Sequence, residues 1–189
     1  MKNRVTIETD RLKLRVFTLD DLPIYHQTVY GDAAVMRYLP GGIPRPIDGT
    51  QGVLEWTIQQ FETFGFTMWA VFDKTDDTFL GHCGVIQLLR TSDFEIAYAF
   101  GKAYWGKGYA REAAHASLHH AFEAGDLKLV YAMAYPENVN SQRVMQKLGM
   151  KAKGRTNRYH NAELALYSMA REHFVAGDAL YRVEENPDD

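Results

Sequence analysis

Leu12, Leu14 and Val16 alternate with Lys13, Arg15 and Phe17, the period of a half-buried strand. Thr18-x-x-Asp21 then has the form of a helix start, and Leu22 to Tyr38 carries a helical pattern broken near Gly31. Residues 40–46, PGGIPRP, hold three prolines and two glycines and predict a loop. Beyond it Val53, Leu54, Ile58, Phe61 and Phe64 recur on one helical face, with Thr50 as cap and Gly65 as stop. Trp56, Phe61 and Phe64 at that spacing read as core. Two apolar runs, Phe66–Phe72 and Phe79–Leu88, flank the polar turn Asp73–Thr78 and predict an antiparallel hairpin. A third strand, Phe94–Phe100, follows the turn Arg90–Asp93.

Gly101–Lys107 is a glycine-rich loop, and Gly108–Ala124 is helical, packing through Ala110, Ala113, Ala114, Leu118, Ala121 and Phe122. Leu129–Tyr135 is nearly all apolar, the pattern of a strand buried on both faces. Asn138–Leu148 is a short helix stopped by Gly149, and strands Lys151–Tyr159 and Glu163–Ala170 bracket a turn at His160–Asn161. A strand–loop–helix–strand unit thus lies between antiparallel strands on both sides. That order predicts one α/β (α+β) domain over residues 1–180, with a mixed, mostly antiparallel sheet of about six or seven strands flanked by helices. Residues 181–189 are expected to be a flexible acidic tail.

Composition narrows the class. At 189 residues the chain has the length of one domain, and 46% hydrophobic with 24% charged residues is ordinary globular usage. Disordered, collagen-like and coiled-coil chains are excluded. No apolar run approaches the roughly 18 residues of a membrane span, and the opening MKNRVTIETD has no apolar signal core. Lys and Arg number 21 against 24 Asp and Glu, and four of the acids fall in the last six residues. A body this close to neutral is not that of a dedicated nucleic-acid binder. The single cysteine, Cys83, lies in an apolar run and reads as a buried thiol. A cytoplasmic protein is expected.

The chemistry concentrates in GKAYWGKGYARE, Gly101 to Glu112. Gly106, Gly108 and Ala110 leave the backbone open just where a helix begins, and Lys107 and Arg111 add positive charge. Free N–H groups and the helix dipole make such a turn an anion site. It falls short of the nucleoside-triphosphatase loop, because Gly108 stands where a magnesium-holding hydroxyl belongs and strand Leu129–Tyr135 ends without an acid. It falls short of the dinucleotide fingerprint too. Asp126 precedes the next strand instead of ending it, and the upstream hairpin does not suit a doubly wound sheet.

Four segments in order carry a resemblance: IETDRLKLRVFTLDDL, FEIAYAFGKAYWGKGYAREAA, PENVNSQRVMQKLGM and ALYSMAREHF. Together, over about residues 7–174, the chain resembles the GNAT acetyltransferase superfamily, in its RimJ/RimL-type branch. In the second segment the family's Q/R-x-x-G-x-G/A becomes Trp105-x-x-Gly108-x-Ala110. Ala97 stands where Gly is common, Met150 where Phe is common, and Met145 where many relatives carry a tyrosine acid. The resemblance implies a sheet splayed at an acetyl-CoA site, with no metal, and acetyl transfer to a primary amine by direct attack. A protein N-terminal α-amine is the acceptor it suggests; a small-molecule amine, or a catalytically idle coenzyme A-binding module, stays open. It leaves the protein a monomer or homodimer, with no nucleic-acid or membrane partner.

Within that reading Tyr98, Phe100, Gly106, Lys107, Gly108, Tyr109, Ala110, Arg111, Asn138 and Ser141 are the expected cofactor contacts. A pyrophosphate suits the small residues at the helix start, and the pantetheine amides can pair with an exposed edge of strand 94–100. Glu95 is the candidate base, acting through water, or else a salt-bridged strand carboxylate. Ser141 is the candidate donor to the departing thiolate, or else a helix cap shared with Asn138 and Asn140. Asn138 bonds a pantetheine amide or stabilises the turn. His115 and His119, with Glu112, have metal-ligand spacing on one helical face, but no ligand cluster from a third segment accompanies them. His160 and Glu163 either line a substrate groove or face water in their turn. The first helices and loop 39–50 are expected to roof the acceptor site.

Overall fold

The computed structural model describes residues 4–88, 91–159, 162–176 and 182–186. Its strands are β1 (Arg4–Glu8), β2 (Leu12–Arg15), β3 (Met68–Asp73), β4 (Phe79–Gln87), β5 (Phe94–Phe100), β6 (Leu129–Ala134), β7 (Lys151–Thr156), β8 (Leu164–Ala170) and β9 (Arg182–Asn186). They form one sheet in the order β7-β8-β6-β5-β4-β3-β2-β1-β9. Every pair is antiparallel except β5 with β6. The sheet is the mixed, mostly antiparallel one expected, widened at one edge by β1 and β9. Part of the segment expected to be a flexible tail therefore forms an edge strand, because Arg182–Asn186 ladder along β1. The turn residues Arg90, His160 and Asn161 lie outside the described residues.

The helices are α1 (Leu22–Tyr25), which runs on into a wide π turn at His26–Tyr30, then α2 (Ala33–Met36), α3 (Ile47–Phe64), α4 (Tyr109–Ala124) and α5 (Val139–Lys147). Helix α3 starts earlier than Thr50, with Pro46 before its first turn, where a missing N–H costs nothing. Thr50 sits inside the helix, fully buried, and its Oγ1 bonds His26 Nδ1 at 2.9 Å. Gly65 ends α3 in the left-handed conformation, as the sequence predicts.

Strand alternation sorts the side chains onto two faces. On one face Ile96 and Phe100 of β5 join Val130, Ala132, Leu118 and Phe122 in a core under α4 and α5. On the other, Ala70, Phe72 and Ala99 pack against Phe17, Tyr25, Val29, Met36 and Leu54 under α1–α3. Strand β6 is not buried on both faces. Val130, Ala132 and Ala134 are buried, whereas Leu129 is exposed and Tyr131 and Met133 are half-buried. Its apolar run fills one core and borders an open cavity on the other face. Cys83 is buried in the first core, and desolvation pushes its thiol pKa up, so it is structural.

Candidate active site

β5 and β6 are register partners at one position, Glu95 opposite Tyr131. β4 keeps β5 paired from Phe94 to Phe100, and β8 keeps β6 paired from Leu129 to Ala134. Both strands are thus held from outside while they part from each other. Past Glu95, the β5 groups that point toward β6 have no ladder partner there. The wedge widens toward Phe100 and Ala134, directly below the start of α4.

The loop entering α4 has the geometry its glycines permit. Gly106 and Gly108 adopt φ of 75° and 86°, and Gly108 is the residue before the helix. A Cβ at Gly106 would meet nothing within 4 Å, so there the left-handed backbone, not space, requires glycine. No side chain caps the first N–H groups of α4. They remain as donors, with the positive end of the helix dipole behind them. Lys107 lies 5.7 Å from the centre of the Tyr104 ring. Trp105, in the Q/R position, donates its Nε1–H to the Phe100 carbonyl at 2.7 Å and ties the loop to the end of β5.

A second anchor comes from residues about a hundred positions away. Glu112, in the first turn of α4, accepts from Thr9 Oγ1 at 2.6 Å, from the Arg11 backbone N–H at 3.0 Å and from Arg11 Nε at 2.8 Å. Arg11 Nη1 also donates to the Lys107 carbonyl at 3.0 Å, and its guanidinium lies 4.6 Å from the centre of the Tyr109 ring. Glu112, noted in the sequence for its spacing to His115, is therefore a loop anchor. Tyr109 turns its hydroxyl to Asp73 at 3.1 Å, which raises its pKa, so its phenol serves the scaffold more than the wedge. Nothing local in the sequence pairs Arg11 with Glu112; the one signal is that Arg11 falls in the first of the four family-like segments.

Across the wedge, α5 begins at Asn138, whose side-chain carbonyl accepts from the Ser141 N–H at 3.2 Å. The cap is thus Asn138 and not Ser141. A cap oxygen must lie before the first helical turn, and Ser141 is already inside it. The Ser141 hydroxyl instead meets the Tyr98 hydroxyl at 2.9 Å, while Tyr98 also reaches the Ser141 carbonyl at 3.0 Å. Burial raises the Tyr98 pKa well above the usual phenol range, so the group stays a neutral donor. Met145, one turn further, is 1% exposed and packs in the core.

One continuous cavity of about 1390 Å³ joins these parts. It runs from Gly106, Gly108 and Arg111 past Tyr98, Ala134, Asn138 and Ser141 to Glu95, and on beneath Tyr30, Tyr38, Pro40, Arg45 and Trp56. Glu95 is 8% exposed. It shares a face of β5 with Ala97 and Ala99, whose short side chains leave a trough beside it. Trp56, read from its spacing as core, lines this trough. His82, paired with Ala99 across the strands, is 2% exposed; its Nδ1 meets the Tyr25 hydroxyl at 3.0 Å, and burial lowers its pKa to about 3. At the other end Asp93 accepts from Tyr159 at 2.7 Å and faces Arg158 at 3.5 Å, and burial with this bond pushes Tyr159 up to about 12.

The remaining candidates lie elsewhere. His115 Nε2 meets the Val175 carbonyl at 2.9 Å, and the rings of His115 and His119 pack against Phe174. No group of three metal-ligating side chains occurs among the described residues. Glu163 pairs with Arg155 in water. No described helix is long and apolar enough to cross a membrane.

Residues 11–151 match the acetyltransferase (GNAT) domain family. The chain belongs to the GNAT acetyltransferase family. Its chemistry is therefore that of an N-acetyltransferase. It is 34% identical over 149 residues to the uncharacterised N-acetyltransferase YnaD of Bacillus subtilis, covering 78% of this chain and 84% of that one. The crystal structure of a GNAT acetyltransferase from Bacillus anthracis superposes with TM-score 0.74 at 27% identity, over 88% of this chain and 99% of that one. RimJ of Mycobacterium smegmatis, solved in complex with CoA-disulfide, shares the fold at TM-score 0.73 and 19% identity, over 88% of each chain. The RimJ/RimL-type resemblance thus holds at the level of fold.

Proposed function

We propose that this GNAT protein moves an acetyl group from acetyl-CoA to a primary amine by direct attack, and that a protein N-terminal α-amine is its acceptor. One observation carries the reading: the single point of pairing between β5 and β6, with the wedge beyond it opening under an uncapped helix start. A pyrophosphate fits the N–H groups of residues 108–111, flanked by Lys107 and Arg111. Pantetheine amides fit the unladdered edge of β5, beside Phe100 and the side-chain amide of Asn138. That arrangement brings the thioester to the level of Ala97 and Tyr98, where the wedge closes.

From the opposite end of the cavity the amine nitrogen attacks the thioester carbonyl carbon. A β5 backbone N–H facing the wedge stabilises the oxyanion. The C–S bond breaks, the nitrogen proton passes through water to Glu95, and the Ser141 hydroxyl donates toward the thiolate. Tyr98, held 2.9 Å from that hydroxyl, sets its direction by giving its one proton to Ser141 Oγ in place of the Ser141 carbonyl, which leaves the serine proton for the sulfur. The demands are modest: an α-amine has a reference pKa near 8 against about 10.4 for lysine, and the leaving thiol is near 8.5. The work is expected in the cytoplasm, where acetyl-CoA and nascent protein N-termini meet.

Calorimetry with coenzyme A, followed by a mass-spectrometric screen of acetylated products in cell extract, tests the proposal. Acetylated protein N-termini are the expected result. Acetylated small amines alone would move the acceptor to that class, and tight coenzyme A binding with no transfer to any amine would make this an idle binding module.

A further inference from the structure

The lining of the cavity has an uneven distribution of charge. Among the described lining residues the one carboxylate is Glu95, whereas Arg45, Arg111, Arg143, Lys147 and Arg158 are cations. Arg111 on α4, with Arg143 and Lys147 on α5, borders the wedge where cofactor phosphates would lie. Arg158 faces Asp93 at 3.5 Å. Arg45 is different. It lies on the acceptor side, and among the described residues it forms no ion pair.

Its position is nevertheless fixed. The Arg45 backbone N–H donates to the Tyr30 carbonyl at 2.9 Å, between Pro44 and Pro46. The guanidinium lies 5.4 Å from the Tyr30 ring centre, and Nη2 reaches the Pro40 carbonyl at a long 3.4 Å. The Tyr30 ring in turn stacks on His82 at 6.1 Å, and His82 bonds buried Tyr25. Two prolines, a backbone bond and a ring stack thus hold a half-buried cation against a cavity wall. A guanidinium carries five N–H donors in a fixed fork, and stacking leaves its charge uncompensated. Such a group is matched by a planar oxyanion, which accepts two parallel bonds.

The trough also sets a spacing. Glu95, Ala97 and Ala99 stand in a row on one face of β5, and His82 is the cross-strand partner of Ala99. From Ala97, where the amine would meet the thioester, to Ala99 is about 7 Å along the strand. Arg45 lies beyond the two stacked rings. The amine and the anion would therefore be several bonds apart, further than the amine and carboxylate of an α-amino acid.

We infer that Arg45 is a specificity site for an acceptor carrying a carboxylate several bonds from its amine. This rests on the amine-acetylation reading above. The same chemistry occurs in a peptide N-terminus with an acidic side chain in its first two residues and in a free ω-amino acid.

The experiment uses the full chain and matched acceptors: a peptide with Glu or Gln at its second position, and 4-aminobutyrate or its amide. For each pair it measures kcat/KM, and by calorimetry it measures the affinity of the corresponding N-acetyl product. The acid member of a pair is expected to be preferred about tenfold or more, the scale of one charge-assisted hydrogen bond. The preference should shrink below about threefold in Arg45→Gln and survive in part in Arg45→Lys. Which pair shows it distinguishes the peptide from the small molecule. Equal treatment of acid and amide by the unaltered protein, in turnover and in product affinity, would overturn the inference, as would a preference untouched in Arg45→Gln. Acid-selective, Arg45-dependent product binding with no turnover would sustain the inference and sink the transfer reading. Coenzyme A binding by each variant reports that it is folded.

Discussion

The two halves of the cavity are built in different ways. The cofactor half comes from one continuous stretch, β5 to α5, fastened from outside that stretch by Thr9 and Arg11. The acceptor half is collected from the π turn after α1, the loop at residues 40–46, helix α3, the middle of β4 and the segment after β7. Local backbone rules govern the first: positive φ at Gly106 and Gly108, a helix start without a side-chain cap, an Asn138 cap. Side-chain stacking across the fold governs the second, as in the succession Arg45, Tyr30, His82. A site of the first kind is legible in a motif and intolerant of change. One of the second kind can be retuned residue by residue while the sheet stays intact.

The largest effect expected is on the cofactor half. Gly108→Asp places a side chain at φ 86°, a conformation that costs about 1–3 kcal/mol for a non-glycine residue. It also puts a carboxylate where phosphate must sit. Its Cβ would lie 3.4 Å from Arg11 Nη2, so the new acid competes with Glu112 for that arginine. Coenzyme A affinity by calorimetry should fall about a hundredfold or more, with the circular dichroism of the fold retained. Unchanged affinity would remove the pyrophosphate from this loop.

That contrast also explains what the sequence disclosed. Strands β2 to β6, β8 and α4 were readable within a residue or two, since alternation and helical periodicity are local. Strand β7 ends three residues earlier than expected, and the edge strands β1 and β9 were not read, because their pairing with each other runs across the length of the chain. Gly65, Gly106 and Gly108 were readable because positive φ selects glycine. The start of α3 was not, because Thr50 makes a good cap in isolation and is instead drawn inside to bond His26. The one-sided burial of β6 was hidden for a related reason. An apolar residue that borders a ligand cavity, such as Met133, looks the same as one in a core. Arg11 with Glu112 could not be read at all, because that pairing exists only once β1 and β2 fold beside α4.

Glu95 lies where the two halves meet, and its replacement is the next largest effect. Glu95→Gln keeps the shape and removes the base. With an identified acceptor, kcat/KM should drop about a hundredfold, and the acid limb of the pH–rate profile should shift. A drop below about threefold with an unaltered profile would leave Glu95 as an orienting strand carboxylate.

Arg11→Met asks whether the loop needs its distant anchor. Glu112 would lose the guanidinium while keeping Thr9 and the backbone N–H of residue 11, and Lys107 would lose the donor to its carbonyl. A displaced phosphate loop should raise KM for acetyl-CoA by about tenfold with a smaller change in kcat, as expected when binding geometry loosens away from the reacting atoms. An equal loss in KM for the amine would mean that the two halves are mechanically coupled, against the separation drawn above.

The smallest effect is at Ser141, and there the structure changes the expectation. Were Ser141 the cap of α5, its loss would cost about 0.5–2 kcal/mol. Asn138 holds that role through the Ser141 backbone, which Ser141→Ala keeps, and Tyr98 still has the Ser141 carbonyl at 3.0 Å. Thermal stability should therefore barely move in Ser141→Ala and fall clearly in Asn138→Ala. Turnover should separate them the other way. If the Ser141 hydroxyl donates to the thiolate, kcat should fall a few-fold, most at low pH. Above a pH of about 8.5 the thiol leaves as thiolate unaided, and the deficit should close. Tyr98→Phe tests the direction of that hydroxyl: it should lower kcat in the same pH range and add little once Ser141 is already Ala. Full kcat in Ser141→Ala across the pH range would assign the pair to fastening α5 against β5, and would leave the thiolate to water or to backbone donors.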